Sequence, residues 1–203
     1  SLNAGRQLYA ARSMVLNTGS LTIGPGCLIR LVGARLYTAV LQIGHAANIT
    51  FNGPYDVTYE GQGLITGVEL TNSRLRNVEL NLSATNGDLI LNSNLHINDT
   101  LTLRRGFFDM GGKNILLGTT ANFRAIGQSA FKGFCPVMTI SATNALLSPL
   151  QFHETIACSF DTFSINTGNT IKIKGMLMIP HYLDLANGKL EILTGQIRIP
   201  AAQ

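Results

Sequence analysis

The chain has no tryptophan, and charged residues make up only 13% of its 203 positions, about half the share of an ordinary soluble domain. Helices with charged outer faces are therefore not expected. Low charge combined with 45% hydrophobic residues also excludes a disordered chain, because such a composition collapses. No apolar run reaches 18 residues, so no membrane-spanning helix is expected. No lipidation motif or leader peptide is visible from Ser1 onward, so secretion would require a leader already removed. The only cysteines are Cys27, Cys135 and Cys158, with no CxxC pair, which argues against a zinc site. Cys135 and Cys158 stand 23 positions apart; either a disulfide or separate buried thiols would suit that spacing. His45, His96, His153 and His181 show no metal-ligand spacing. No metal or cofactor is expected.

Charge points to no particular partner. Fifteen cations against eleven anions is a small excess, and no basic stripe with interleaved aromatics marks a nucleic-acid surface. The carboxylates fall singly along the chain. Asp-Asp and Asn-Thr-Asp are absent, Gly44-His45 is followed by Ala46, and Arg198-Ile199-Pro200 lacks a lysine. A glycosidase needs two carboxylates on one face. Asp109 and Glu191 share a face in the repeat alignment below but would stand about four rungs, roughly 19 Å, apart. The expectation is a protein that is not an enzyme.

What is present is a repeat. The unit is apolar-x-apolar, three residues, then apolar-x-apolar. Leu95, Ile97, Leu101 and Leu103 fit it, and 20 residues on so do Ile115, Leu117, Ala121 and Phe123. Leu21, Ile23, Cys27 and Ile29 are followed at the same interval by Leu41, Ile43, Ala47 and Ile49. Leu177, Ile179, Leu183 and Leu185 precede Ile197 and Ile199, which begin another copy. A turn former follows the second apolar position: Gly24, Gly44, Asn98, Gly118, Pro180 and Pro200. Residues 89–110 also align without gaps on residues 171–192. Each copy reads as strand, corner, strand. One such unit cannot bury its inner face alone, whereas stacked copies bury a continuous column. The spacing predicts an all-β, single-stranded parallel β-helix of about 20 residues per rung, right-handed by the crossover rule, as one domain over 1–203. Residues 52–75 and 124–162 keep the pattern only in fragments.

The stretch Leu75–Gly118, LRNVELNLSATNGDLILNSNLHINDTLTLRRGFFDMGGKNILLG, resembles rung sequences of large secreted surface proteins of the Bacteroidota, and Phe163–Gly195 resembles the same pattern with more drift. The resemblance implies a pectin-lyase-like right-handed β-helix, export by the type IX system and a place on the cell surface as an adhesin or stalk.

Two functional expectations follow, and a third is weaker. The first is an extracellular structural subunit or stalk segment that assembles end to end as a homo-oligomer or homopolymer. Ser1–Ala11 shows no capping helix, and Ile197 and Ile199 begin an incomplete rung, marking an assembly edge. The second is a carbohydrate-binding adhesive module for surface glycans. Tyr55 and Tyr59, two apart along one strand face, are its candidate sugar contacts, although a pair packed under a loop would have the same spacing. A polysaccharide lyase is the third.

Overall fold

A computed structural model describes residues 1–11, 14–34, 38–84 and 87–200. Strand accounts for 61% and helix for 2%, in a β-solenoid of about eight turns spaced about 22 residues apart. The first turn holds β1 (Gln7–Ala11) and β2 (Met14–Ile23). The second holds β3 (Cys27–Gly33), β4 (Thr38–Ala39) and β5 (Leu41–Phe51). The third holds β6 (Tyr55–Gly61), β7 (Leu64–Ile65) and a 3-10 turn at Val68–Leu70. The fourth and fifth hold β8 (Leu75–Leu82), β9 (Asp88–Ile90), β10 (Leu95–Ile97), β11 (Thr100–Arg105), β12 (Phe107–Asp109) and β13 (Ile115–Leu117). The sixth holds β14 (Asn122–Ala125), β15 (Ala130–Lys132) and β16 (Phe134–Ile140). The last turns carry β17 (Leu150–Gln151), β18 (Cys158–Ile165), β19 (Thr170–Met178), β20 (Tyr182–Asp184) and β21 (Lys189–Arg198).

Like strands of successive turns pair in parallel and build three faces. The first face runs β1-β3-β6-β8-β11-β14, and the second runs β4-β7-β9-β12-β15. The third begins as β2-β5, is interrupted by the 3-10 turn, and resumes as β10-β13-β16-β18. Alternation sets what lies inside. In β6, Tyr55, Val57 and Tyr59 are buried while Asp56, Thr58 and Glu60 are not, the period-two pattern of a strand with one covered face. Leu95, Ile97, Leu101, Leu103, Leu177 and Ile179 all enter the core as the repeat requires. Leu183 is only partly buried and Leu185 is 39% exposed. Leu183 still packs against the core as expected, and the expectation that Leu185 points into it is corrected here, because no further turn stacks on β20 among the described residues.

The rung length is less regular than the sequence template. Leu95 pairs with Ile115, and Leu177 with Ile197, at the expected 20 positions. Leu21 pairs with Ile49 and Cys27 with Tyr55, 28 positions on, so the alignment of residues 21–29 on 41–49 is corrected. Leu101 pairs with Phe123 rather than Ala121. The column from Leu95 continues through Ile115, Met138, Phe163 and Leu183. Leu177 therefore stands beside Cys158, and the 82-residue alignment does not describe stacking. Asp109 accordingly pairs with Lys132 and Glu191 with Lys172. The ladder constrains strands, and extra residues are absorbed at the corners between them and at bulges within four of the strand pairs.

The fragmentary stretch 124–162 is where the core changes material. Phe108, Phe123, Phe131, Phe152, Phe160 and Phe163 are all buried and touch in series, ring to ring. Rings replace the aliphatic column, so an aliphatic template loses its match there. Gly175 is required where β19 bends. Its φ is 101°, and a Cβ would lie 2.0 Å from the Phe152 carbonyl oxygen.

Candidate functional surfaces

The sharpest polar constellation lies inside the solenoid. The 3-10 turn carries Glu69 into the gap between β5 and β10 on the third face, where it is 1% exposed. The Tyr59 hydroxyl donates to Glu69 Oε1 at 2.5 Å, the Gly67 N–H donates to the same oxygen at 2.7 Å, and the Tyr55 hydroxyl donates to the Glu69 carbonyl oxygen at 2.8 Å. Glu69 Oε2 has no hydrogen-bond partner. Burial pushes the Glu69 carboxyl above its usual range, against the opposing effect of its hydrogen bonds. Burial, and then the neighbouring carboxylate, push both phenols up as well. Tyr55 and Tyr59 are therefore corrected as glycan contacts: both lie in the core, out of reach of a sugar ring. They do converge, but as donors that fasten an irregular turn. The wording Val-Glu-Leu, an acid between two apolar residues, was the available signal.

Cys27, Cys135 and Cys158 are buried free thiols. Cys135 Sγ points to the Val137 carbonyl at 3.2 Å and Cys158 Sγ to the Phe131 carbonyl at 3.1 Å, so the two do not form the disulfide considered above. Burial pushes both thiols up to about 12. Among the described residues no group of three His, Cys, Asp or Glu side chains could hold a metal ion. His153 accepts through Nδ1 from the N–H groups of Thr155 and Ile156, which makes it a turn residue. His96 lies on the outer side of β10, and His181 sits 3.3 Å from Asp161. The side chain of His45 lies outside the described residues.

Surface carboxylates pair with cations on other turns. Asp56 bonds Arg76, Glu60 bonds Arg30, Glu79 bonds Arg104 and Asp88 bonds Lys132, at 2.6–2.7 Å. The first three tie successive turns together, while Asp88, 8% exposed, reaches Lys132 two turns on; such pairs contribute little individually where they are wet.

Hollows of about 140–380 Å³ open along the flanks, two of them beside hydrogen-bonding side chains of the corners. The larger, about 380 Å³, runs across β10, β13 and β16 beneath the wall formed by residues 70–73. At its edge Asn94 Oδ1 accepts from the Asn114 N–H and Asn114 Oδ1 accepts from the Val137 N–H, a ladder of side-chain amides along one corner. The smaller, about 140 Å³, lies on the second face around Phe107 and His153.

The last strand is the main unfilled edge. β21 pairs with β19 along its length and, among the described residues, with nothing on its other side. Ile197 is partly buried against the core, and Ile199 just beyond the strand is 61% exposed. Among the described residues no helix is long and apolar enough to cross a membrane. No family model, no curated protein and no solved structure matches the chain.

Proposed function

We propose that the chain is an extracellular structural segment, a piece of a cell-surface stalk or filament in which solenoid turns stack head to tail from one copy to the next. The observation that carries this reading is the uncovered apolar edge at β21. Ile173 is fully buried, whereas Ile192, its partner one turn later, is 46% exposed, with no turn over it among the described residues. Leu193 and Ile199 add to the same exposed edge. An open parallel strand with apolar side chains accepts another strand by ordinary ladder pairing. Contact of one end with the opposite end of a second copy is heterologous and propagates into a filament. β1 and β2 offer the receiving edge: among the described residues β1 is paired on one side only, and β2 is covered on its free side only at its end, where Ile23 bridges Leu2. The dispersed carboxylates support a structural rather than a catalytic role, since five of the eleven are held in ion pairs between turns. The extracellular placement rests on the resemblance of Leu75–Gly118 to surface-protein rungs.

Sedimentation velocity over a concentration series tests the proposal. Growth of the intact chain into polymers, with Ile192→Asp and Ile199→Asp together giving a monomer of unchanged circular dichroism, is the expected result. An intact chain that stays monomeric at high concentration overturns it.

A further inference from the structure

The smaller hollow is made by one short side chain. On the outer side of the second face, Phe107 of β12 pairs with Ala130 of β15, and Phe131 bridges Phe152, which places Gln151 beside Ala130 one turn further on. Ala130 is too small to fill its place in this outward row and is itself covered, at 2% exposure. Phe107 therefore leans across it and meets His153, with ring centroids 4.8 Å apart and planes at 52°. The result is a notch of about 140 Å³ with Ala130 in its lining and Phe107 and His153 at its sides. Sites for drug-sized ligands are usually about 300–1,000 Å³, so this volume suits one ring.

The polar lining is set in fixed roles. His153 Nδ1 is occupied by the N–H groups of Thr155 and Ile156 at 3.2 and 3.1 Å, so in the neutral ring Nε2 carries the proton and donates. Gln151 Nε2 donates to the Gly127 carbonyl at 3.2 Å, which leaves its Oε1 as an acceptor. Gln128 and Glu154 add an amide and a carboxylate. Lys132 lies over the Phe107 ring, its Nζ 5.9 Å from the centroid, and is held by Asp88 at 2.7 Å. A flat aromatic wall, donors and acceptors side by side, a free carboxylate and a neutralised lysine match a ring that has an apolar face and several hydroxyls but no negative charge.

We infer that the Phe107–Ala130–His153 notch binds a single pyranose ring of a neutral glycan, its apolar face on Phe107 and its hydroxyls shared among Gln151, His153 and Glu154. This gives the segment an adhesive contact on its flank, away from the edge that serves end-to-end stacking, and it holds for a monomer as for a filament.

The test is titration of the folded chain with the methyl glycosides of neutral hexoses, followed by NMR at the amides of residues 128–130 and 151–155. At least one glycoside shifts these signals with a dissociation constant of about 1 mM, a typical single-ring affinity. Phe107→Ala weakens binding about fivefold, in line with loss of one stacking contact, and Phe107→Tyr retains it. Ala130→Leu fills the notch and abolishes binding while the thermal melt stays cooperative. The double variant at Ile192 and Ile199 binds as the intact chain does, which separates this site from assembly. Absence of shifts with every neutral hexose, a response only to uronic or sulfated sugars, or undiminished binding in Ala130→Leu overturns the inference.

Discussion

Truncating Phe131 to alanine is the most direct test of how this solenoid is held together. Phe131 is fully buried in β15, with ring centroids 5.6 Å from Phe108, 5.3 Å from Phe123 and 5.7 Å from Phe152. It thus joins the fifth, sixth and seventh turns. Removing a buried phenylalanine ring costs about 3–5 kcal/mol, more where the site cannot collapse. Collapse is restricted here, because the backbone ladders above and below β15 fix the turn spacing. Three aromatic contacts, each contributing about 0.5–1.5 kcal/mol beyond area, place the loss near 5 kcal/mol. In a stack of nearest-neighbour interfaces the damage should also stay local. Hydrogen exchange read strand by strand is therefore the assay, with urea unfolding as its companion. Protection should fall in β12, β15 and β17 and persist in β3 and β6. A loss under about 2 kcal/mol, below the range for such truncations, or protection lost evenly along the rod, would refute the reasoning.

Three further outcomes follow from the core. Glu69→Gln should stabilise the protein at pH 7: the folded carboxyl is raised, so its contribution is complete below about pH 4.5 and is lost as pH rises towards the folded value. The variant should therefore flatten the fall in urea midpoint between acid and neutral pH, and an unchanged slope would show that Glu69 is not held as the neutral acid. Cys135 and Cys158, raised to about 12 and buried, should ignore a thiol reagent at pH 8 in the native state, with all three cysteines reacting after denaturation; rapid native labelling would contradict the packing. Leu101→Asp buries a charge without a partner and should unfold at least the fourth to sixth turns in a proteolysis experiment; wild-type resistance would mean that the inward face is misassigned.

The sequence exposed the fold because inward side chains of a solenoid must alternate along each strand and recur in every turn. Leu95, Ile97, Ile115 and Leu117 do so without interruption, and their pairing is as read. The register was harder to see over longer spans. Corners and strand bulges add or drop residues from turn to turn, and these small differences moved Leu177 out of the Leu95 column. Phenylalanine packing hid the turns after Arg124, since rings reach across the core where an aliphatic row would have continued. Tyr55 and Tyr59 were legible as a pair sharing a face, but not which face; that was decided by Glu69, ten and fourteen residues away, entering through the broken third side. The notch at Ala130 was invisible because it depends on three turns whose alignment only the fold supplies.

Stacking turn on turn also has a mechanical meaning. Each turn holds about 22 residues yet advances the rod by only about 4.8 Å. Stretched out, those residues span roughly 70–80 Å. A tether built this way is short at rest and carries a long reserve of hidden contour. Under tension applied at its ends it should yield in steps, one turn at a time, each release lengthening the tether more than tenfold over the height of the turn given up. The aromatic turns would be the last to let go, so the phenylalanine stack sets where such a spring stops extending.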